Sequence, residues 1–172
     1  MLGVVLLYVG IVLISNGFYR LYDTKDKSLV VMNYFTGGLG LVLNVGAILI
    51  GVATNQPNIW FYPSATGLLF AFTYLYVAIN TTFDIDPRLY GWYSLFVSIN
   101  ALLAGLLCFY GIGGNALYGL IWWLWGILWF TGFIENTLGN KLGKSVGYLS
   151  IFEGIFTAWI PGLLMLLSLW PE

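Results

Sequence analysis

Ala116-Leu-Tyr-Gly-Leu-Ile-Trp122-Trp-Leu-Trp125-Gly-Ile-Leu-Trp129-Phe-Thr-Gly-Phe-Ile134 is a run of nineteen residues without a charge. At 1.5 Å of rise per residue it makes a helix roughly 28 Å long, which matches the hydrocarbon thickness of a bilayer. Five more predominantly apolar runs lie on either side of it, over residues 2–17, 29–52, 63–80, 91–110 and 146–169, of which only the last holds an acid, Glu153. The six runs use most of the 172 residues and leave only short loops, so one six-helix transmembrane domain over residues 1–172 is expected. The fold class is all-α, a membrane protein of six transmembrane helices. The first run has no basic region ahead of it and no cleavage-site pattern, so it is expected to remain as a span and not be removed as a signal peptide.

Composition excludes the alternatives. Apolar residues make up 60% of the chain and charged residues only 8%, against about 25% in soluble domains, so thirteen charges cannot cover a water-soluble surface. The same numbers exclude a disordered chain. The net charge is −1 and the six basic residues are dispersed, which leaves no footprint for nucleic acid. Cys108 is the only cysteine and there is no histidine. Disulfides within the chain, a Ser-His-Asp triad, zinc-histidine sites and histidine pH switches are therefore excluded, and no metal or cofactor is expected. A membrane-embedded enzyme would also lack paired carboxylates inside the membrane.

The charges orient the spans. Arg20, Lys25 and Lys27 fall between the first and second runs, Arg88 between the third and fourth, and Lys141 and Lys144 between the fifth and sixth. The loops at 53–62 and 111–115 carry no charge. The positive-inside rule places the three basic loops in the cytoplasm and both termini outside. Each odd-numbered span ends in an asparagine beside its basic loop: Ile14-Ser-Asn16-Gly17, Ala78-Ile-Asn80-Thr81 and Ile134-Glu-Asn136-Thr137. This predicts three successive helical hairpins of similar build. The preference of asparagine for helix C-termini is the other reading.

Within the spans, Glu153 is the one ionisable residue well away from a loop. Such a group costs about 2.5–3.5 kcal/mol or more at mid-membrane, so it is expected to face a cavity or a partner. No Lys or Arg within a span can pair with it, which argues against a charged relay or an anion path and for a neutral solute. A proton-coupled transporter using Glu153 is the remaining alternative. Trp122, Trp125 and Trp129 share one face of the fifth span, Phe72 and Tyr76 stand at i and i+4 in the third, and Leu2, Leu6, Val9 and Leu13 line one face of the first. Stacked rings can form a slot for a planar solute while excluding hydrated ions. Periodicity alone leaves pore lining and packing both open. Trp60, Tyr62, Trp92 and Trp170 are read as interfacial anchors. Gly37, Gly38, Gly40, Gly67, Ala71, Ala101 and Gly105 are read as sites of close helix approach.

Several stretches resemble one family. They are Met1-Leu-Gly-Val-Val-Leu-Leu-Tyr-Val-Gly-Ile-Val-Leu-Ile-Ser-Asn-Gly17, Pro63-Ser-Ala-Thr-Gly-Leu-Leu-Phe-Ala-Phe-Thr-Tyr-Leu-Tyr-Val-Ala-Ile-Asn80, Trp92-Tyr-Ser-Leu-Phe-Val-Ser-Ile-Asn100, Trp125-Gly-Ile-Leu-Trp129 with Phe133-Ile-Glu-Asn136, and Glu153-Gly-Ile-Phe-Thr-Ala-Trp-Ile-Pro161. Together they are similar to the UreI/AmiS family of bacterial urea and short-amide channels, most of all to its urea branch. The resemblance implies a homohexamer with one pore per protomer, lipid at the ring centre, and passive urea entry that feeds a cytoplasmic urease. It implies pore residues at Leu2, Leu6, Val9, Leu13, Phe72, Tyr76, Trp122, Trp125, Leu128, Trp129 and Glu153. Trp125, Trp129, Phe72 and Tyr76 would flank the urea plane on the cytoplasmic side, with Leu2 and Leu6 closing the slot against them. Val9 and Leu13 would shape an outer constriction, and Glu153 would accept hydrogen bonds from urea. The family's acid-gated members carry long outer loops rich in histidine and acidic residues. The short, uncharged loops here imply conduction at neutral pH without acid gating.

Overall fold

The computed structural model describes residues 1–22 and 26–171; Asp23, Lys25 and Glu172 lie outside the described residues. The helices are α1 (Leu2–Leu21), α2 (Leu29–Ala53), α3 (Pro57–Phe83), α4 (Arg88–Phe109), α5 (Ala116–Asn136), α6 (Lys144–Glu153) and α7 (Ile160–Leu166). A π-helical stretch, Gly154–Trp159, joins α6 to α7, so that Lys144–Leu166 forms one continuous rod. The six rods are each long and apolar enough to cross a bilayer, and the described residues contain no strand. The chain is a multi-pass membrane protein.

Local chemistry sets the ends. The side chain of Asn115 accepts from the backbone N–H of Tyr118 at 2.9 Å and caps α5. Pro57 opens α3 in the first turn, where a missing N–H costs nothing, and α3 therefore starts six residues before the expected 63. It stops at Asp84, whose φ of 52° is left-handed. α1 runs four residues past the expected Gly17 and ends with Arg20 in its last turn, where the cation complements the helix dipole.

The six rods form a closed ring in which each packs on its chain neighbours and the last returns to α1. The most extensive pairings are α2 with α3, α4 with α5, and α1 with the α6–α7 rod. The expected hairpins α1–α2, α3–α4 and α5–α6, joined by the charged loops, are in contact, but two of the three most extensive pairings, α2–α3 and α4–α5, are joined by the uncharged loops, and α3 and α4 touch little. The pairing of first with last rod is built from glycine. Gly3, Gly10 and Gly17 recur every seven residues on α1 and meet Gly162, Gly154 and Gly147 of the antiparallel partner. A Cβ at Gly3 would lie 2.9 Å from the carbonyl oxygen of Gly162, and one at Gly154 would lie 2.9 Å from that of Gly10. Lipid supplies no hydrophobic drive between helices, so this close backbone approach, together with the Ser150 hydroxyl donating to the Leu13 carbonyl at 2.7 Å, joins the first and last rods. Of the glycines expected at close contacts, Gly37, Gly40, Gly67 and Gly105 do face neighbours, while Gly38 faces open space in the protomer.

The π-helical stretch has a local cause. Pro161 has no N–H to donate to the carbonyl one turn back. One turn earlier, the Thr157 hydroxyl donates to the Glu153 carbonyl at 2.6 Å. The backbone between them takes the wider i→i+5 winding that recurs at functional sites.

Candidate functional site

Two cavities enter the ring from opposite ends. The larger, about 760 Å³, opens at the end carrying the charged loops and is lined by Leu13, Tyr74, Trp125, Leu128, Trp129 and Ser150, with Arg20, Glu135 and Lys144 at its mouth. The smaller, about 70 Å³, lies at the end of the chain termini and is lined by Leu2, Leu6, Asn44, Thr66, Tyr118 and Trp122. Phe70 lines both. Its ring centroid stands 5.6 Å from that of Trp122, 4.7 Å from Trp125 and 4.7 Å from Trp129, in tilted and edge-on contacts. Phe70 is thus the partition between the two cavities.

The depth of each helix locates the closed stretch. On α1, Leu6 borders the smaller cavity and Leu13 the larger, while Val9 between them borders neither and is fully buried. On α6, Ser150 borders the larger cavity, and Glu153, one turn deeper, borders neither. Glu153 is 0% exposed, and both its carboxyl oxygens lack a partner among the described residues. An unpartnered carboxyl in an apolar span is costly, which makes Glu153 a candidate functional residue.

The tryptophan rings are anchored from behind. Trp125 Nε1 donates to Thr157 Oγ1 at 2.8 Å, and Trp129 Nε1 donates to Thr73 Oγ1 at 3.0 Å. At the charged mouth, Arg20 forms an ion pair with Glu135, and its Nε donates to the Gly143 carbonyl at 3.0 Å. The other Glu135 oxygen accepts from Leu142 N–H at 2.9 Å, so the last turn of α1 is tied to α5 and to the loop before α6. Asn16 lies nearby and exchanges amide hydrogen bonds with Asn33.

Of the residues expected to line a pore, Trp125, Leu128, Trp129 and Leu13 meet in the larger cavity, and Leu2, Leu6 and Trp122 in the smaller. Val9 and Glu153 lie at the level between. Leu2 and Leu6 are therefore not beside Trp129. α1 starts at the opposite end, and a helix advances roughly 16 Å between residues eleven apart. Leu13, expected at the outer constriction with Val9, stands with Trp125 and Trp129 instead.

The structure does not bring Phe72 and Tyr76 to either cavity. Phe72 is 44% exposed on the outside of the ring. Tyr76 packs on Tyr90 and Tyr93, with centroids 5.3 and 5.8 Å away. The inward face of α3 is Phe70, Thr73, Tyr74 and Val77, at i, i+3, i+4 and i+7. Thr73 was the available signal, a hydroxyl in the middle of an apolar helix on the same face as two aromatics. Among the expected anchors, Tyr62 lines the smaller cavity, and Trp92 is 54% exposed beside Phe133.

Comparison with known proteins agrees over the full length. The AmiS/UreI family transporter profile matches residues 1–169. The acid-activated urea channel of Helicobacter pylori is 47% identical over 194 aligned positions, which cover 99% of this chain and 100% of that one. A protein of Mycolicibacterium smegmatis named for transport of amidate substrates is 40% identical over 98% of this chain and 78% of its own. The crystal structure of the urea channel from the human gastric pathogen H. pylori superimposes with a TM-score of 0.90 at 50% identity, over 99% of this chain and 100% of that one. The cryo-EM structure of that channel in its closed state gives 0.89 at 49% identity over the same shares. These relatives are channels and transporters, not enzymes, and with a profile match over 169 of its 172 residues this chain belongs to the AmiS/UreI family of transporters.

Proposed function

We propose that the protein is a passive channel for urea in the bacterial inner membrane, one channel domain over residues 1–172 that conducts through the ring of each protomer. The observation that carries this reading is the arrangement at Phe70. Two cavities approach each other through aromatic walls, and the closed stretch between them holds a carboxyl with no partner among the described residues. Flat rings offer a hydrated ion nothing to replace its water, whereas a planar neutral amide fits between them and gives its N–H groups to Glu153. The pore set in this reading is Leu2, Leu6, Val9, Leu13, Trp122, Trp125, Leu128, Trp129 and Glu153, joined by Phe70 and Tyr74. The charged loops face the cytoplasm and both termini face outward. The protomers assemble as a homohexamer, as the family resemblance implies, and the urea delivered feeds a cytoplasmic urease.

A second reading is passage of short amides. It is favoured by the 40% identity to the mycobacterial protein named for amidate substrates, since urea and small amides share shape and edge chemistry. Stopped-flow light scattering on liposomes bearing the purified protein separates the two. Urea entry well above protein-free liposomes, faster than acetamide entry, is the expected result. Faster acetamide entry favours the second reading, and no entry of either solute overturns both.

A further inference from the structure

Each of the two tryptophans that wall the larger cavity is held by a threonine from another helix, and each of those threonines has already used its own proton. The Thr73 hydroxyl donates to the Leu69 carbonyl at 2.7 Å and accepts from Trp129 Nε1. The Thr157 hydroxyl donates to the Glu153 carbonyl at 2.6 Å and accepts from Trp125 Nε1. A hydroxyl has one proton and two lone pairs, so neither threonine can turn to donate elsewhere while these bonds stand. All four side chains are buried, with exposures of 7% or less. The Leu69 carbonyl accepts a further bond, from the Tyr93 hydroxyl at 2.7 Å, which ties α4 to the same point.

We propose that Thr73 and Thr157 are positioning residues for selectivity. They fix the planes of Trp129 and Trp125, and they withdraw both indole N–H donors from the path. The slot then presents π faces and edges but no donor from either ring. A solute carbonyl finds no hydrogen bond from these rings, and discrimination rests on thickness and on the N–H groups that reach Glu153. This inference builds on the reading of the cavity as a solute path.

Two measurements test it. In liposomes, Thr73→Val and Thr157→Val keep the shape and remove the acceptor. Each is expected to lower the ratio of urea to water permeability about tenfold, the equivalent of one hydrogen bond of about 1.4 kcal/mol, while Thr→Ser at the same position restores the ratio. A fall in both permeabilities together, with the ratio unchanged, overturns the proposal, because it is what a merely structural role produces. The second measurement needs no flux. With ¹⁵N-labelled indoles, the Trp125 and Trp129 N–H protons of the unaltered protein are expected to exchange slowly with solvent, and each valine variant to release its own indole alone. Fast exchange of both in the unaltered protein overturns the proposal even if a valine variant fails to fold. If unaltered vesicles take up no urea, the urea reading fails while the exchange result still decides the anchoring.

Discussion

Glu153 is fully buried, and neither of its carboxyl oxygens finds a partner among the described residues. A polar group in that position must be offset by what passes, so hydrogen bonding at Glu153, more than its charge, is the quantity that matters. Glu153→Gln keeps an acceptor of the same shape and is expected to retain urea flux within a few-fold. Glu153→Leu removes the acceptor and is expected to lower flux about tenfold, the worth of a single hydrogen bond, in the same light-scattering assay. Phe70 predicts the opposite direction. It is the sole wall shared by the two cavities, and Phe70→Ala joins them. Flux of urea is expected to rise, and entry of glycerol, excluded by a flat slot, to become measurable; unchanged glycerol exclusion would place the partition elsewhere. The sequence points to the aromatic character of this helix but to the wrong pair, Phe72 and Tyr76. Two positions along a helix turn it by about 200°, to the opposite face. In a soluble helix the polar side corrects such an error. Here lipid and pore wall are both largely apolar, and the clearest mark of the inward side is the Thr73 hydroxyl in mid-helix.

At the scale of the helix, the contact between α1 and the α6–α7 rod closes the ring, and it depends on glycines at fixed register. A Cβ at Gly10 would lie 2.7 Å from the Trp159 Cβ and 2.9 Å from its backbone nitrogen, with no flexible chain end to yield. Gly10→Val is therefore expected to destabilise the protomer by about 1–3 kcal/mol, the usual cost of overpacking. Thermal melting in detergent reads this as a lowered midpoint. Gly38→Ala meets nothing within 4 Å in the protomer and is expected to stay within about 0.5 kcal/mol of the parent. Helix number and approximate bounds were legible from the length of apolar runs, since a bilayer fixes that length. Helix pairing was not. The asparagines at the ends of the odd spans suggested neighbours joined by charged loops, but packing follows small residues spaced to admit a partner backbone. The seven-residue glycine repeat of α1 was visible in the sequence, yet its meaning depends on a partner more than a hundred residues away. The π-helical stretch is a different case, because Thr157 and Pro161 stand only four residues apart and neither residue by itself signals a wider winding.

Across the whole molecule, the basic side chains and the loop acids among the described residues lie at one end of the ring. The described acids outside the spans are Asp26, Asp84 and Asp86. Hydrogen bonds from Ser28 hold the Asp26 carboxyl below the usual carboxylate range, and hydrogen bonds from Arg88 do the same for Asp86. Asp84 pairs with Lys27 at 2.7 Å and lies, like the other two, at the charged end. A carboxyl depressed in the folded state contributes stability that is complete above its unfolded value, about 3.9 for Asp, and that is lost as the pH falls through the lower folded value. At pH 5 both depressed groups are still ionised, so mild acid does not loosen this end. The loops at 53–62 and 111–115, toward the other end, hold no histidine, Asp or Glu, and Glu172 lies outside the described residues. The 194-position alignment with the acid-activated H. pylori channel exceeds the 172 residues here, so that relative carries residues without a counterpart in this chain. Urea permeability is accordingly expected to agree within about twofold at pH 5 and pH 7.5, against the roughly tenfold change per pH unit that one titrating group can impose. A steep rise on acidification in the liposome assay would overturn the ungated reading and direct attention to the spans, where Glu153 is the one acid remote from both mouths.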